Sequence, residues 1–245
     1  MEQPSTLVLL PGLDGTEILL RPLIASLPGR LRPLVVTYPT AGGNGYGDLL
    51  ALARQAIAEL PECYVLGWSF AGPLALMLAA AEPDKVRGVI LSASFVRPPS
   101  RFLSALGFAL SPAPVWLWRA ARRVPLWLFA PRAHALRRAK SETWNRVSAR
   151  VIAARLRAIR GVDARELLRN CRQPVLYIAS SSDAVVPLRN AIEVLRLQPS
   201  AQLAVIAGPH LAMFTNPLAA AQAIERFIAG HQTVTAHPEH RAASS

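Results

Sequence analysis

Short apolar runs recur along this chain, and between them lie longer stretches whose apolar positions return at helical spacing. Thr6 to Leu10 is the first run; it stops at Pro11-Gly12, and Glu17 to Leu27 follows as a helix closed by Pro28-Gly29. Pro33 to Tyr38 predicts a second strand, Tyr46 to Leu60 a helix, Cys63 to Leu66 a third strand, Phe70 to Ala81 a helix and Val86 to Ser92 a fourth strand. Beyond residue 173 the alternation resumes, with Pro174 to Ala179 as a strand, Leu188 to Leu197 helical, Gln202 to Ile206 a strand and Leu211 to Ile228 helical. Strands that alternate with helices of this length predict an α/β fold on a mostly parallel sheet with right-handed crossovers. After Gly230 the chain is polar and rich in breakers, so residues 231–245 are expected to be a disordered tail.

The interval from 97 to 173 breaks the rhythm. Its first half is apolar and aromatic, with Phe102, Phe108, Trp116, Trp118, Trp127 and Phe129, and its second half is rich in arginine. Asn145 to Arg160 is amphipathic: Val147, Val151, Ala154 and one of Leu156 or Ile159 share a face, while Arg146, Arg150, Arg157 and Arg160 take others. Residues 1–96 and 174–230 are thus expected to form one core, with 97–173 as an insertion.

Charge follows the same division. The whole chain has 27 Lys and Arg against 15 Asp and Glu, yet Arg97 to Arg172 alone holds 17 of those bases and 3 of the acids. A cationic face of this kind steers anionic partners toward itself. No zinc spacing, RNP-like run or helix-turn-helix signature accompanies it, which excludes a nucleic-acid reading. With 245 residues, 52% of them hydrophobic, the chain can bury a core without disulfide or metal staples. Cys63 and Cys171 fit a reducing compartment as unpaired thiols, and no metal site is expected around them. Cys63 to Ala81 is free of charge and about as long as a membrane span, but Gly67, Ser69, Gly72 and Pro73 interrupt it, as suits a buried strand turning into a buried helix. The N-terminus lacks the basic and apolar regions of a signal peptide, and a cytoplasmic protein is expected.

At the end of the third strand stands Gly67-Trp68-Ser69-Phe70-Ala71-Gly72. A serine forced into a tight strand-to-helix turn exposes its hydroxyl above the sheet edge, and small residues two positions to either side let strand and helix approach. Such a hydroxyl needs a base near neutral pH. His231, His237 and His240 lie in the expected tail and His134 in the insertion; His210 directly follows the last predicted strand, at the edge where parallel sheets bind ligands. Asp183, after the strand at 174–179, is the matching acid to orient the imidazole. Asp14 competes for attention, but Asp14-Gly15 is a common turn pair and points to a structural role.

These residues carry a resemblance: in the order Ser69, Asp183, His210 the chain resembles the α/β-hydrolase-fold serine hydrolases over about two thirds of its length. Leu10-Pro11-Gly12-Leu13-Asp14-Gly15-Thr16 is similar to the loop that usually reads His-Gly in that superfamily, with Pro11 in the histidine's place, and Ala71 stands where glycine is usual. The resemblance implies an oxyanion hole from the backbone N–H groups of Leu13 and Phe70. It implies that the first strand here corresponds to the family's third, leaving a sheet of about six strands, and that residues 97–173 form a helical cap over Ser69. It implies ester hydrolysis through an acyl-enzyme without a cofactor, the carrier-protein methyl ester esterases being one precedent. An acyl group on an anionic carrier would suit the basic cap, with Trp68, Trp116, Trp118, Arg146, Arg150 and Arg157 as candidate contacts. Acyl thioesterase chemistry remains open on the same residues. So does an idle site in a module that docks an acidic protein or an anionic membrane surface.

Overall fold

The computed structural model describes residues 4–99 and 134–235. Six strands form one sheet in the order β2-β1-β3-β4-β5-β6, with every neighbouring pair parallel. They are β1 (Ser5–Leu10), β2 (Leu31–Val35), β3 (Cys63–Trp68), β4 (Val86–Ser92), β5 (Val175–Ser180) and β6 (Gln202–Ile206). Around them lie α1 (Arg21–Ser26), α2 (Tyr46–Ala56), α3 (Gly72–Ala81), α4 (His134–Arg146), α5 (Ala149–Gly161), α6 (Arg165–Arg169), α7 (Arg189–Leu197), α8 (Ala212–Thr215) and α9 (Pro217–Thr235).

Helices cover both faces, and the apolar residues sort accordingly. Val8 and Leu10 of β1 join one cluster with Val65, Phe70, Leu74 and Leu78; Leu7 and Leu9 join the other with Leu20, Leu66, Ile224 and Phe227. β3 and β5 are buried along their full length, which is why their sequences read as continuous apolar runs and not as alternation. Cys63 to Ala81 folds as β3 and α3, and no helix among the described residues is long and apolar enough to cross a membrane.

Prolines explain three of the boundary differences. Pro33 lies inside β2, which starts at Leu31; β2 is a sheet edge, where a residue without an N–H is tolerated. The helix expected over Glu17 to Leu27 is a 3-10 turn at Ile18–Leu20 followed by α1, with Pro22 in its first turn. The continuous helix expected over Leu211 to Ile228 is broken at Asn216, because Pro217 starts α9 and cannot continue α8.

The tail differs too. α9 runs through the exposed Gly230 to Thr235, so the first five residues expected to be disordered are helical. Glycine in an exposed helix costs about 1 kcal/mol relative to alanine. His231 offsets part of that by bonding back to the Phe227 carbonyl at 2.7 Å, its ring 4.7 Å from the Phe227 ring.

The described part of the insertion straddles both faces of the sheet. Leu136 and Ala139 of α4 pack in the cluster that holds Trp68, whereas Val151, Ile152, Leu156 and Ile159 of α5 pack in the one that holds Phe70. α4 is also tied to the segment before α1 by ion pairs: Arg21 bridges Glu17 and Glu142, and Arg146 bridges the same two carboxylates. Trp116, Trp118 and the other aromatics of 102–129 lie outside the described residues.

Candidate active site

All four loops expected to carry chemistry leave the C-terminal ends of strands: 11–16 after β1, 69–71 after β3, 181–188 after β5 and 207–211 after β6. Ser69 sits in the turn from β3 to α3 with φ +53°, a left-handed conformation that a serine adopts only when its surroundings impose it. The imposition is visible on both sides. A Cβ on Gly67 would lie 2.4 Å from the Ala71 carbonyl oxygen, and one on Gly72 would lie 1.9 Å from Ser94 Oγ. Ala71, by contrast, fits where glycine is usual, fully buried against the same core.

Ser69, Asp183 and His210 meet in one hydrogen-bonded chain. Ser69 Oγ lies 2.9 Å from His210 Nε2, and His210 Nδ1 lies 2.8 Å from Asp183 Oδ2. The second Asp183 oxygen, Oδ1, accepts the backbone N–H groups of Val185 at 2.8 Å and Val186 at 2.7 Å. Thus the carboxylate is buried and satisfied on both oxygens, which fixes its rotamer and the imidazole with it.

The Phe70 peptide is held from the far side. Tyr46 Oη donates to the Phe70 carbonyl at 2.8 Å, and the two rings stack 4.8 Å apart. Burial drives the Tyr46 pKa well above its ordinary value, so the phenol stays a donor. Neither Tyr46 nor Ser94, which donates to the Ser69 carbonyl, stood out in the sequence; their partners are backbone atoms of a distant turn, and no local pattern marks them.

Loop 11–16 is equally determined. Asp14 accepts the Thr16 backbone N–H at 3.1 Å and its hydroxyl at 2.6 Å, in keeping with the structural role expected of it. Burial raises the Asp14 pKa despite those bonds and the nearby Arg155. Tyr38 Oη donates to the Pro11 carbonyl at 3.0 Å.

Of the arginines singled out in the insertion, Arg146, Arg150 and Arg157 are all exposed, and Arg146 is engaged with Glu17 and Glu142. The one that reaches the site region is Arg155, with 0% of its surface accessible. It donates to Leu13 O, Pro39 O and twice to Asn44 Oδ1, at 2.8–3.0 Å, and its guanidinium carbon stands 5.2 Å from the centre of the Tyr38 ring. Burial lowers its pKa, but a guanidinium keeps its proton in proteins. The signal for it was in the helix spacing, since Val151, Arg155 and Ile159 recur every fourth residue and share one face. Ala154, placed on that face from the sequence, is only partly buried, while Leu156 and Ile159 are both buried.

Trp68 is buried beside the elbow, and among the described residues its indole Nε1 is one of two buried side-chain polar atoms without a partner, the other being Thr143 Oγ1 of α4. Among the described residues, no group of three His, Cys, Asp or Glu side chains is placed to hold a metal ion.

A parallel six-stranded sheet, a left-handed serine between β3 and α3, and helices inserted after β4 define a hydrolase of the α/β type. Residues 7–223 match the family model described as "Alpha/beta hydrolase family", and the chain belongs to that family. It is 30% identical over 224 residues to the pimeloyl-[acyl-carrier protein] methyl ester esterase of Aromatoleum aromaticum, covering 83% of this chain and 89% of that one. It is 27% identical over 234 residues to the biotin biosynthesis bifunctional protein BioHC of Cellvibrio japonicus, and there it spans only 44% of the relative's length. Among solved structures, a carboxylesterase of Nitrososphaera gargenis superposes with a TM-score of 0.79 at 20% identity, covering 94% of this chain and 92% of that one. The enol-lactonase of Burkholderia xenovorans LB400 superposes with 0.78 at 18% identity, covering 93% and 92%. At these identities the two superpositions show the fold alone.

Proposed function

We propose that the protein hydrolyses carboxylic esters by acyl transfer through Ser69, acting on acyl groups borne by an acidic carrier protein. The observation that carries the chemistry is the chain Ser69 Oγ to His210 Nε2 to Asp183 Oδ2, at 2.9 and 2.8 Å, with Ser69 in the left-handed region. His210 takes the Ser69 proton as the oxygen attacks the ester carbonyl. Negative charge develops on the carbonyl oxygen, where the Leu13 and Phe70 N–H groups receive it. The alcohol leaves with the proton from His210, water attacks the acyl-enzyme by the same route, and the acid departs. Asp183 keeps Nδ1 protonated and stabilises the imidazolium that forms in each half.

The carrier is supported by two separate things: relatives named as pimeloyl-[acyl-carrier protein] methyl ester esterases, and the basic insertion with Arg150 and Arg157 exposed on α5. In this reading the insertion is a cap over Ser69 and its outer face meets the carrier.

The test is salt dependence. On an acyl-carrier-protein methyl ester, kcat/KM falls steeply as ionic strength rises, whereas on a small neutral ester it stays nearly flat. Equal salt dependence on the two would remove the carrier. Matched oxygen esters and thioesters on the same acyl chain measure the preference between the two bonds, with faster oxygen-ester cleavage expected.

A further inference from the structure

Loop 11–16 is held by its carbonyls. Pro11 O accepts from Tyr38 Oη at 3.0 Å, Gly12 O from Gly15 N at 3.0 Å, and Gly15 O from Tyr38 N at 2.8 Å. Each of these donors belongs to the loop itself or to the chain just after β2. The bond to Leu13 O is different, because its donor, Arg155 Nη1, comes from α5 in the insertion, 142 residues away, at 2.9 Å. The rest of the guanidinium is spent on the loop after β2, on Pro39 O and Asn44 Oδ1. One side chain therefore ties the inserted helix to the loops that follow two neighbouring strands.

The arrangement is built for close approach. Gly15 has φ +69°, and a Cβ there would lie 2.6 Å from Arg155 Nη1 and 2.7 Å from the Tyr38 ring. The buried Asp14 is near enough to act on Arg155 through its charge, but no carboxylate among the described residues makes an ion-pair contact with the guanidinium. Its acceptors are neutral oxygens, so what the guanidinium provides is geometry: a rigid fork whose donors fix several acceptors at once. A lysine has no such fork, and an apolar residue of the same length would fill the space but bond nothing.

We propose that Arg155 is a positioning residue that clamps Leu13, so that the oxyanion hole is assembled only while helix α5 is seated on the core. This rests on the reading above that the Leu13 N–H receives the oxyanion. The Leu13 N–H and C=O lie in the two peptide planes that flank one Cα, so a clamp on the carbonyl limits the φ and ψ rotation by which the N–H would swing out of line. Misplacement by about 1 Å costs about a hundredfold in rate, with ground-state binding little affected. The clamp thus makes turnover depend on the seating of helix α5 through Arg155.

The experiment uses the full chain and a short neutral ester, with active sites counted by fluorophosphonate labelling. In Arg155→Ala, kcat per active site should fall about ten- to a hundredfold, less than the loss of a whole oxyanion donor, while KM changes little. Methylguanidinium at sub-denaturing concentration should restore part of kcat by re-entering the space left, and methylammonium should not. A merely structural role for Arg155 would lower the melting temperature and give no selective rescue. Unchanged kcat in the folded variant, or a loss that the two cations restore equally or not at all, would overturn the clamp. Should Arg155→Ala fail to fold, Asn44→Ala removes two of the four bonds and leaves Leu13 packed; it should lower kcat severalfold at constant KM, and an unchanged kcat overturns the proposal. Esterase activity that survives Ser69→Ala would be a separate failure, of the site itself, and would take the clamp with it.

Discussion

Ser94 Oγ donates to the Ser69 carbonyl at 2.6 Å, and in doing so it occupies the space beside Gly72 that any side chain there would need. The turn that exposes Ser69 is therefore braced from the loop after β4 by Ser94, whose backbone carbonyl in turn accepts from Tyr177 Oη of β5 at 2.6 Å. Strain in the turn and tightness at Gly72 are two sides of one contact. Gly72→Ala should destabilise the protein by about 1–3 kcal/mol through overpacking and lower esterase activity per folded molecule. Adding Ser94→Gly opens the space and should recover stability in part, as urea denaturation of the single and double variants will show; additive losses would contradict the contact.

Asp183 is satisfied on both oxygens, and this sets the outcome of its substitutions. In Asp183→Asn the Val185 and Val186 N–H groups hold the amide oxygen at the Oδ1 position, which turns the amide NH2 toward His210 Nδ1. That forces the proton onto Nε2, where the ring cannot accept from Ser69, and kcat should fall by about 10⁴. Ser69→Ala and His210→Ala should each fall further, by about 10⁶, and the double variant no further than either. Additive losses in the double variant would mean that the two do not act as a unit.

Burial raises the Asp14 pKa above its ordinary 3.8, and the sign of the stability effect follows. Between 3.8 and the raised value the folded chain binds a proton that the unfolded chain does not, so folding gains as pH falls through that window. Below 3.8 the gain is complete; it is lost as pH rises through the folded pKa. Relative to Asp14→Asn, which does not titrate, the wild type should gain stability as pH falls from neutral toward 4, read from paired urea denaturations. A gap that stays constant with pH would contradict the burial argument.

Cys63 is buried and Cys171 half-buried. Burial pushes the Cys63 pKa up to about 11 and raises that of Cys171, whose thiol also bonds the Gln173 side chain at 3.3 Å. In the folded protein near pH 8 both should react with a disulfide reagent far more slowly than a free thiol, and both should react at once after denaturation. A fast phase from Cys63 in native protein would mean that β3 opens at its N-terminal end.

The sequence and the structure agree most closely where one short segment carries its own signal. Val86–Ser92 and Gln202–Ile206 are the strands expected at those residues, and the glycine-flanked Ser69, with Asp183 and His210 behind their strands, needed only order and strand ends to be found. What stayed illegible depends on distant contacts. Arg155 was not singled out: its spacing from Val151 and Ile159 places it on the buried face, but its acceptors, Asn44 and two backbone carbonyls, lie more than a hundred residues away and leave no local mark. The break at Asn216 turned on whether Pro217 would kink a helix or start one, and the helix through Gly230 on how His231 packs against Phe227.

An activated Ser69 is the central claim, and covalent labelling by a fluorophosphonate, read by intact mass, tests it most directly. One adduct on the wild type, none on Ser69→Ala and a strongly slowed reaction on His210→Ala are the results expected. An adduct that persists on Ser69→Ala, or no adduct on folded wild type, would contradict it.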